Sequence, residues 1–499
     1  MKADKELYRK LRALSCDELW NVEVPRFNRA DPKERNARVA VIRAVGVAFS
    51  AAGSVAQRAE VKAWLAGLLN DPSEKVRRYA MAAIPKLRGA PGAENRMVEL
   101  LKRPGADREK RHIGRALEKI GGPDALQAVS GVLPQTEQKV KAALARVDAP
   151  SEMRLDRVFE GFNRLRVHLR CRRGLEGLVR EELAASPLKS RFRLLEQHHR
   201  CLVLTPTAPF TLADVYQLRC FATLGFSLGY SKSGDLDELA AFIVSPRARV
   251  LMQTFTEGSV RYRIEFMDKG HQRGAVRELA NRAYARCPDM LNDAREAPWS
   301  MDLHATPRGM LVELRPRIHP DPRFTYRRGD VSASSHPPLA AAMARLAGPM
   351  DGEVAWDPFC GSGVELIERG LLGGVARLIG TDVSPEAVAT ARRNVAAASL
   401  GGVETVFMVS DFRAASVAPG SVSLVISNPP MGRRIRIKDM RGLYADFFTA
   451  ASRALRPGGR LVFPNPLRIA PADASLVRDY QQPVDLGGYL CRLERYRKA

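Results

Sequence analysis

Asp357-Pro358-Phe359-Cys360-Gly361-Ser362-Gly363 follows the apolar run Val354-Ala355-Trp356 and leads into Val364-Glu365-Leu366-Ile367. A strand that ends in two closely spaced glycines and turns into a helix makes a ligand loop. Gly361 and Gly363 can take positive backbone angles, and without a Cβ they let the backbone come close to a nucleoside. Outward from this loop the chain alternates. Leu378 to Asp382 predicts the next strand, Pro385 to Ala398 a helix, and Thr405–Val409 and Val422–Ser427 two further strands. Tyr444 to Leu455 predicts a helix, and Arg460-Leu461-Val462-Phe463 a strand after the turn Arg456-Pro457-Gly458-Gly459. Such alternation predicts a doubly wound, Rossmann-like parallel sheet over residues 325–499, with ligands at the carboxyl ends of its strands.

Two acidic residues frame the loop. Asp357 precedes the glycines with Pro358 and Phe359, and Asp382 ends the next strand, followed by Val383. An acidic side chain there can accept hydrogen bonds from both ribose hydroxyls. Asp411, followed by Phe412, ends the third strand and is placed to meet an adenine amino group or to cap a helix. The loop lacks the third glycine of a dinucleotide fingerprint, which argues against NAD.

Ser427-Asn428-Pro429-Pro430-Met431-Gly432 follows the fourth strand. An exocyclic amine is a poor nucleophile because its lone pair is delocalised into the ring. An Asn428 carbonyl and a backbone carbonyl can accept its two N–H bonds, draw the nitrogen toward tetrahedral geometry and aim the lone pair. Pro429 and Pro430 fix the turn without offering competing donors. Glycine loop, acidic strand end and this turn together predict S-adenosylmethionine-dependent methylation of an amine.

At 499 residues the chain exceeds one hydrophobic core. The formal net charge is +24, of which residues 351–499 carry +4 and residues 1–350 carry +20. The surplus lies outside the catalytic sheet, as expected if separate modules hold a polyanion such as RNA. Seven scattered cysteines without CxxC spacing predict neither a disulfide framework nor a metal site. With no apolar leader and no long apolar run, a cytoplasmic protein without membrane contact is expected, and a monomer.

Residues 1–150 read as successive helices. Asp71 can cap one, Pro72 fits its first turn, and Val76, Ala80, Ala83 and Leu87 form its apolar stripe, with Arg77 and Arg78 facing outward. Similar units run over 36–52 and 107–120, and the pattern resembles HEAT repeats. After Ala149-Pro150-Ser151 the periodicity changes. Leu165, Val167, Leu169 and Cys171 alternate with Arg166, His168, Arg170 and Arg172, and strand and helix signals continue to Arg315-Pro316-Arg317. This is a central α+β region with arginines expected on a solvent face, Arg315 and Arg317 among them.

The central region resembles the ferredoxin-like and THUMP modules of RNA-modifying enzymes, on "LRCRRGLEGLVREEL" and "FTYRRGDVSASSHPPLAAAMARLAG". That assigns 155–235 to the first module and 236–320 to the second. The C-terminal part resembles the catalytic domain of THUMP-containing RNA guanine-N2 methyltransferases, on "SHPPLAAAM", "DPFCGSGVELIE", "GTDVSPEAVATARRNV" and "SNPPMGRR". The resemblance implies that Ser335, His336, Pro337 and Leu339 line the methionine side of the cofactor. It also implies that Asn428 and Pro429 hold a guanine amine in tRNA or rRNA, and that Arg433 or Arg434 meets RNA. Met431 stands where the family carries an aromatic residue against the flipped base, and Ser423 where Asp is common. Two alternatives stay open: an RNA-binding or scaffold protein with a vestigial pocket, and a DNA adenine-N6 methyltransferase. The latter shares the Asn-Pro-Pro turn but has no use for the Arg-rich region.

Overall fold

A computed structural model describes every residue except 1, 104–106, 149, 268–269, 271, 333 and 433–436, and gives the backbone alone for 2–5 and 146–148. The chain divides into two compact units that do not follow its order. Residues 1–152, 233–245 and 256–298 form one, and residues 153–232, 246–255 and 299–499 the other.

The first unit is mostly helical, as the apolar stripes predict. Helices α1 (Lys2–Leu11), α2 (Ala40–Ala52), α4 (Glu74–Ala83), α6 (Asp107–Ile120) and α8 (Pro134–Asp148) pack side by side in one row. Helices α3 (Val55–Gly67), α5 (Ala93–Lys102) and α7 (Pro123–Val129) back them. Val76, Ala80 and Leu87 enter the shared core with Phe27, Phe49 and Leu117. Helix α4 starts at Glu74, so Asp71 is not its cap. One Asp71 oxygen accepts the Ser73 N–H (2.8 Å) and the other takes Arg35 (2.7 Å). Arg77 does not face outward either. It forks onto Glu109 (2.6 and 3.0 Å), tying α4 to α6, and donates to the Asp71 carbonyl. Residues 256–298 add a helix, Arg273–Arg286, whose Tyr284 packs with Ala142 of α8.

The second unit holds two large sheets and a short two-stranded one, Val158–Phe159 with Phe210–Thr211. Strands β1 (Arg166–Arg170), β2 (Phe192–His198), β3 (Cys201–Pro206), β4 (Thr223–Ser231), β5 (Trp299–Thr306) and β6 (Gly309–Pro316) run antiparallel in the order β5-β6-β4-β1-β3-β2. The arginine face expected here is only partly free. Glu313 of β6 sits in the niche left by Gly225, where a Cβ would lie 2.1 Å from its oxygen. It takes His168 (2.6 Å) and both donors of Arg170 (2.9 and 2.6 Å). Burial would raise the Glu313 carboxyl, but the His168 and Arg170 bonds outweigh it and hold the group below the usual carboxylate range.

The other large sheet is the one the glycine loop predicts. Strands β7 (Glu353–Asp357), β8 (Val375–Asp382), β9 (Glu404–Val409), β10 (Val422–Ile426) and β11 (Leu455–Asn465) are parallel, in the order β9-β8-β7-β10-β11. An antiparallel pair, β12 (Leu476–Asp485) and β13 (Leu490–Lys498), extends it with β13 against β11. The order reverses at β7, so the crevice for a ligand opens at the carboxyl ends of β7 and β10. Helices α9 (Pro337–Ala347), α10 (Val364–Leu371), α11 (Pro385–Ala398) and α12 (Met440–Ala454) complete this α/β layer.

Gly174, ahead of the helix Glu176–Ala185, presses on the β12–β13 hairpin. Its φ is +98° and a Cβ would lie 1.9 Å from the Pro483 carbonyl oxygen. Gly174→Ala should therefore lower the unfolding free energy by about 1–3 kcal/mol. Gly177→Ala, within the helix and with open space around it, should leave stability equal or higher. Urea melts of the two variants distinguish these outcomes.

Candidate active site

The glycine loop is held from three sides. Asp382, at the end of β8, accepts the Gly361 N–H on one oxygen (3.0 Å) and the Ser384 N–H on the other (2.9 Å). Gly361 and Gly363 have φ of +51° and +81°, so both glycines are needed for the turn. From α11, Asn394 donates to the Ser362 carbonyl (2.9 Å) and exchanges bonds with the backbone of Gly329 (3.0 Å each). Ser334 and Ser362 meet through their hydroxyls at 2.9 Å.

Asp357 is fully buried at the end of β7. One oxygen accepts the Ser427 hydroxyl (2.5 Å) and the Phe359 N–H (3.0 Å), while the other has no partner among the described residues. Burial pushes its pKa well above the usual range, and the nearby Glu365 and Asp382 push the same way against the Ser427 and Phe359 bonds. Glu365, in the first turn of α10, is also raised by burial, opposed by the Ser335 hydroxyl that donates to it.

Asn428 joins this network from the other side. Its Nδ2 donates to Ser335 Oγ at 2.7 Å, and Ser335 directs its own proton toward Glu365. That fixes the amide, with the nitrogen inward and Oδ1 buried without a partner among the described residues. Pro429 is buried and the Pro430 carbonyl accepts Tyr444 at 3.4 Å, so the turn is anchored at both ends. Met431 is half-buried with its sulfur 3.8 Å from Cys491 Sγ of β13.

The structure thus brings Ser335, Asp357, Gly361, Gly363, Asp382 and Asn428 to one crevice mouth. Pro337 and Leu339 are buried in the first turn of α9, preceded by His336, and Pro358 is buried beside Asp357. Phe359 is half-buried against buried Phe412, ring centres 4.8 Å apart, and Val383 is exposed just past Asp382. Asp411 starts no helix; its oxygens accept the Arg413 backbone N–H and guanidinium, each at 2.9 Å. Arg315 lies elsewhere, paired with buried Asp302 on the neighbouring strand (2.5 Å), and Arg317 is half-buried beyond β6. Arg433 and Arg434 lie outside the described residues. Ser423 bridges β10 to β7, donating to the Val354 carbonyl (3.1 Å) and accepting its N–H (2.9 Å). Glu365, Ser427 and Asn394 belong to the site but were given no role from the sequence, although each lies inside a quoted stretch: Glu365 after the glycine loop, Ser427 at the Asn-Pro-Pro turn and Asn394 in the helix after Asp382.

Two buried oxygens without partners among the described residues, Asp357 Oδ2 and Asn428 Oδ1, sit at the switch point of a parallel sheet, where such folds take a ligand. Of the two loop glycines, Gly361 has room around it while Gly363 packs on Ala391. Comparison with known proteins agrees in kind. Residues 325–476 match the family described as UPF0020, the RMKL-like methyltransferase domain. Residues 61–147 match HEAT repeats. A tRNA (guanine(6)-N2)-methyltransferase of Thermus thermophilus is 28% identical over 214 residues, covering 41% of this chain and 62% of that protein. A tRNA (guanine(10)-N2)-dimethyltransferase of Methanothermobacter thermautotrophicus is 31% identical over 135 residues, 27% of this chain and 39% of that one. The chain therefore spans less than two thirds of either relative. The crystal structure of TrmN from Thermus thermophilus superposes with a TM-score of 0.53 at 21% identity, covering 67% of this chain and all of that one, which shows a shared fold.

The raised pKa of Asp357 has a measurable sign. A carboxyl whose folded pKa exceeds its unfolded value of about 4 contributes stability at low pH that is lost as pH rises toward the folded value. The loss is about 1.4 kcal/mol for each tenfold difference in acidity between the folded and unfolded chain. Asp357→Asn carries no such loss. Urea melts at acid and at mildly alkaline pH should show the native chain losing stability between them and the variant losing less.

Proposed function

We propose that the protein is an S-adenosylmethionine-dependent RNA methyltransferase acting on the exocyclic N2 of a guanosine, in tRNA or rRNA. The observation that carries the reading is the locked amide of Asn428, whose Oδ1 is buried and unpartnered among the described residues. The cofactor residues fit the group. Asp382 would accept ribose hydroxyls, the Gly361–Gly363 backbone would lie along the nucleoside, and Ser335 and Asp357 would meet the amino-acid end. When bound, S-adenosylmethionine supplies an electrophilic methyl on its sulfonium. Asp411 and Phe412 would border the adenine, and Arg433 and Arg434 would meet RNA.

The chain's own contribution is placement. Asn428 Oδ1 and the Pro429 carbonyl would each accept one N–H of the guanine amine, turning its lone pair toward the methyl donor. With Nδ2 bonded to Ser335, Oδ1 is the amide atom left to accept an N–H. Met431, backed by Cys491, would cover the base face with a polarizable thioether in place of a ring. We assign residues 155–235 to a ferredoxin-like module and 236–320 to a THUMP-like module that present RNA to this site.

Asn428→Ala should lower methyl transfer to guanosine in RNA by about a hundredfold or more, the size of losing one positioned hydrogen-bonding group. Its cofactor affinity, read by calorimetry, should stay near native, since the lost contact is to the substrate. Undiminished N2-methylguanosine in mass-spectrometric analysis of RNA treated with the variant would remove the turn from catalysis.

Asp382→Ala should act on the other side of the reaction. Loss of charge-assisted bonds worth about 1.5–3 kcal/mol each should weaken cofactor binding by about tenfold or more. Calorimetry with S-adenosylhomocysteine measures this without turnover. An unchanged dissociation constant would mean the ribose lies elsewhere.

A further inference from the structure

The first 150 residues hold 29 Lys and Arg against 18 Asp and Glu, a net of +11, which is nearly half of the whole chain's charge. Part of that charge is neutralised inside the helical row. Arg35 pairs with Asp71, Arg38 with Glu23, Arg77 with Glu109 and Arg78 with Glu74. Another part is gathered at one cavity, where Arg78 keeps its Glu74 partner and the other cations have no acidic partner among the described residues. A cavity of about 330 Å³ opens between α2, α4 and α6, lined by Arg43, Arg78, Tyr79, Lys86, Arg108 and His112. No carboxylate lines it, and among the described residues Arg43, Lys86 and Arg108 pair with none.

The cations are arranged, not scattered. On α6, Arg108, His112, Arg115 and Lys119 recur at four-, three- and four-residue steps, which puts them on one helix face. Arg43 of α2 lies over the Tyr8 ring of α1, 4.2 Å from its centre, a cation–π contact that holds its guanidinium at the cavity. Lys86 reaches solvent at the end of the α4 segment, yet desolvation by packed neighbours lowers its pKa. The charges of Arg43, Lys119 and Arg12 lower it further, against Tyr8. Like charges held together without counter-charges are a standing repulsion that a bound anion would relieve. The cavity is far larger than the ~30 Å³ of one water and falls in the ~300–1,000 Å³ range of ligand sites, room for a phosphodiester with its sugar.

We propose that this cavity binds the phosphodiester backbone of the RNA substrate, making the helical region a second RNA-holding surface distant in sequence from the catalytic turn. This rests on the reading of the enzyme as an RNA methyltransferase. Arg43 and Arg108 would fork onto phosphate oxygens, Lys86 would neutralise the same or the next phosphate, and Tyr79 offers a ring face to an unstacked base.

The test uses the full chain and a fluorescein-labelled tRNA transcript, with binding followed by anisotropy across a salt series. Phosphate contacts are indifferent to sequence, so the transcript need not be the natural substrate. The variant carries Arg43→Gln, Lys86→Gln and Arg108→Gln. A control with Lys33→Gln, Lys102→Gln and Arg103→Gln removes equal charge from exposed positions that do not line the cavity. Each lost phosphate contact removes about 0.7–0.9 from the slope of log affinity against log salt. The cavity variant should therefore lose about 2 from the slope and about tenfold or more in affinity near 0.15 M salt. The control should stay within about threefold. A charge-keeping variant, Arg43→Lys, Lys86→Arg and Arg108→Lys, should keep most of the slope, which separates charge from misfolding.

A slope in the cavity variant equal to the native or the control slope overturns the proposal. So does a result in which inorganic phosphate raises the melting temperature of the native chain alone while both bind RNA equally; the cavity would then hold a small free phosphate. Methyl transfer is scored separately. Transfer with an unchanged slope sinks the cavity alone, and slope loss without any transfer by the native chain sinks the activity alone.

Discussion

The hydrogen bond from Ser427 Oγ to Asp357 joins the ends of two neighbouring parallel strands across 70 residues of sequence. It makes the glycine loop and the Asn-Pro-Pro turn one object. A parallel sheet leaves the carboxyl ends of its strands open at the point where the strand order reverses, and short polar residues must close that opening or serve a ligand there. Here they do both. Asp382 and Asn394 brace the loop, Ser335 braces the turn, and the acceptors left over on Asp357 and Asn428 are buried at the crevice without partners among the described residues. Unpartnered buried acceptors are costly, on the order of 1–3 kcal/mol each, so their presence at one spot marks a place where stability yields to binding.

The same unit shows how arginines are committed to the fold. Arg219 forks onto Glu368 of α10 at 2.7 and 2.8 Å, and Tyr326 donates to the same carboxylate at 2.6 Å. This is a joint between the antiparallel sheet region and the α/β layer. Removing one member of such a buried pair costs about 3–5 kcal/mol, because the other charge is left uncompensated. Arg170 and Arg315 are likewise held by Glu313 and Asp302. Formal charge therefore overstates what is available on the central region. In the helical region, by contrast, several cations are crowded at one cavity with no acid lining it.

Local signals carried the α/β layer. The strands and helices from Glu353 to Ala398 fall within a few residues of their sequence readings, because apolar runs, glycine turns and helix caps are all decided by neighbours along the chain. The loop glycines, Asp382 and the turn at Asn428 were legible for the same reason: their chemistry is written at fixed spacing after strand ends. The hairpin β12–β13 was not. Its outer strand β12 lies at the sheet edge and carries a long polar run, Arg478-Asp479-Tyr480-Gln481-Gln482, so its pattern does not announce burial.

What the sequence alone determined is the type of site, since residue identity and spacing decide which chemistry a strand end can support. Tertiary structure decided the rest. Ser335, 93 residues from Asn428, sets which atom of the amide is free, and no spacing rule reaches that far. Gly174 and Gly225 are explained only by the Pro483 backbone and the Glu313 side chain that crowd them. The fate of each arginine follows the same logic. Arg77 and Arg78 are adjacent and chemically alike, yet one ties two helices through Glu109 while the other lines the cavity beside Lys86. A helix turns about 100° per residue, so neighbours in sequence face different surroundings, and only the packing of distant helices says which surroundings those are.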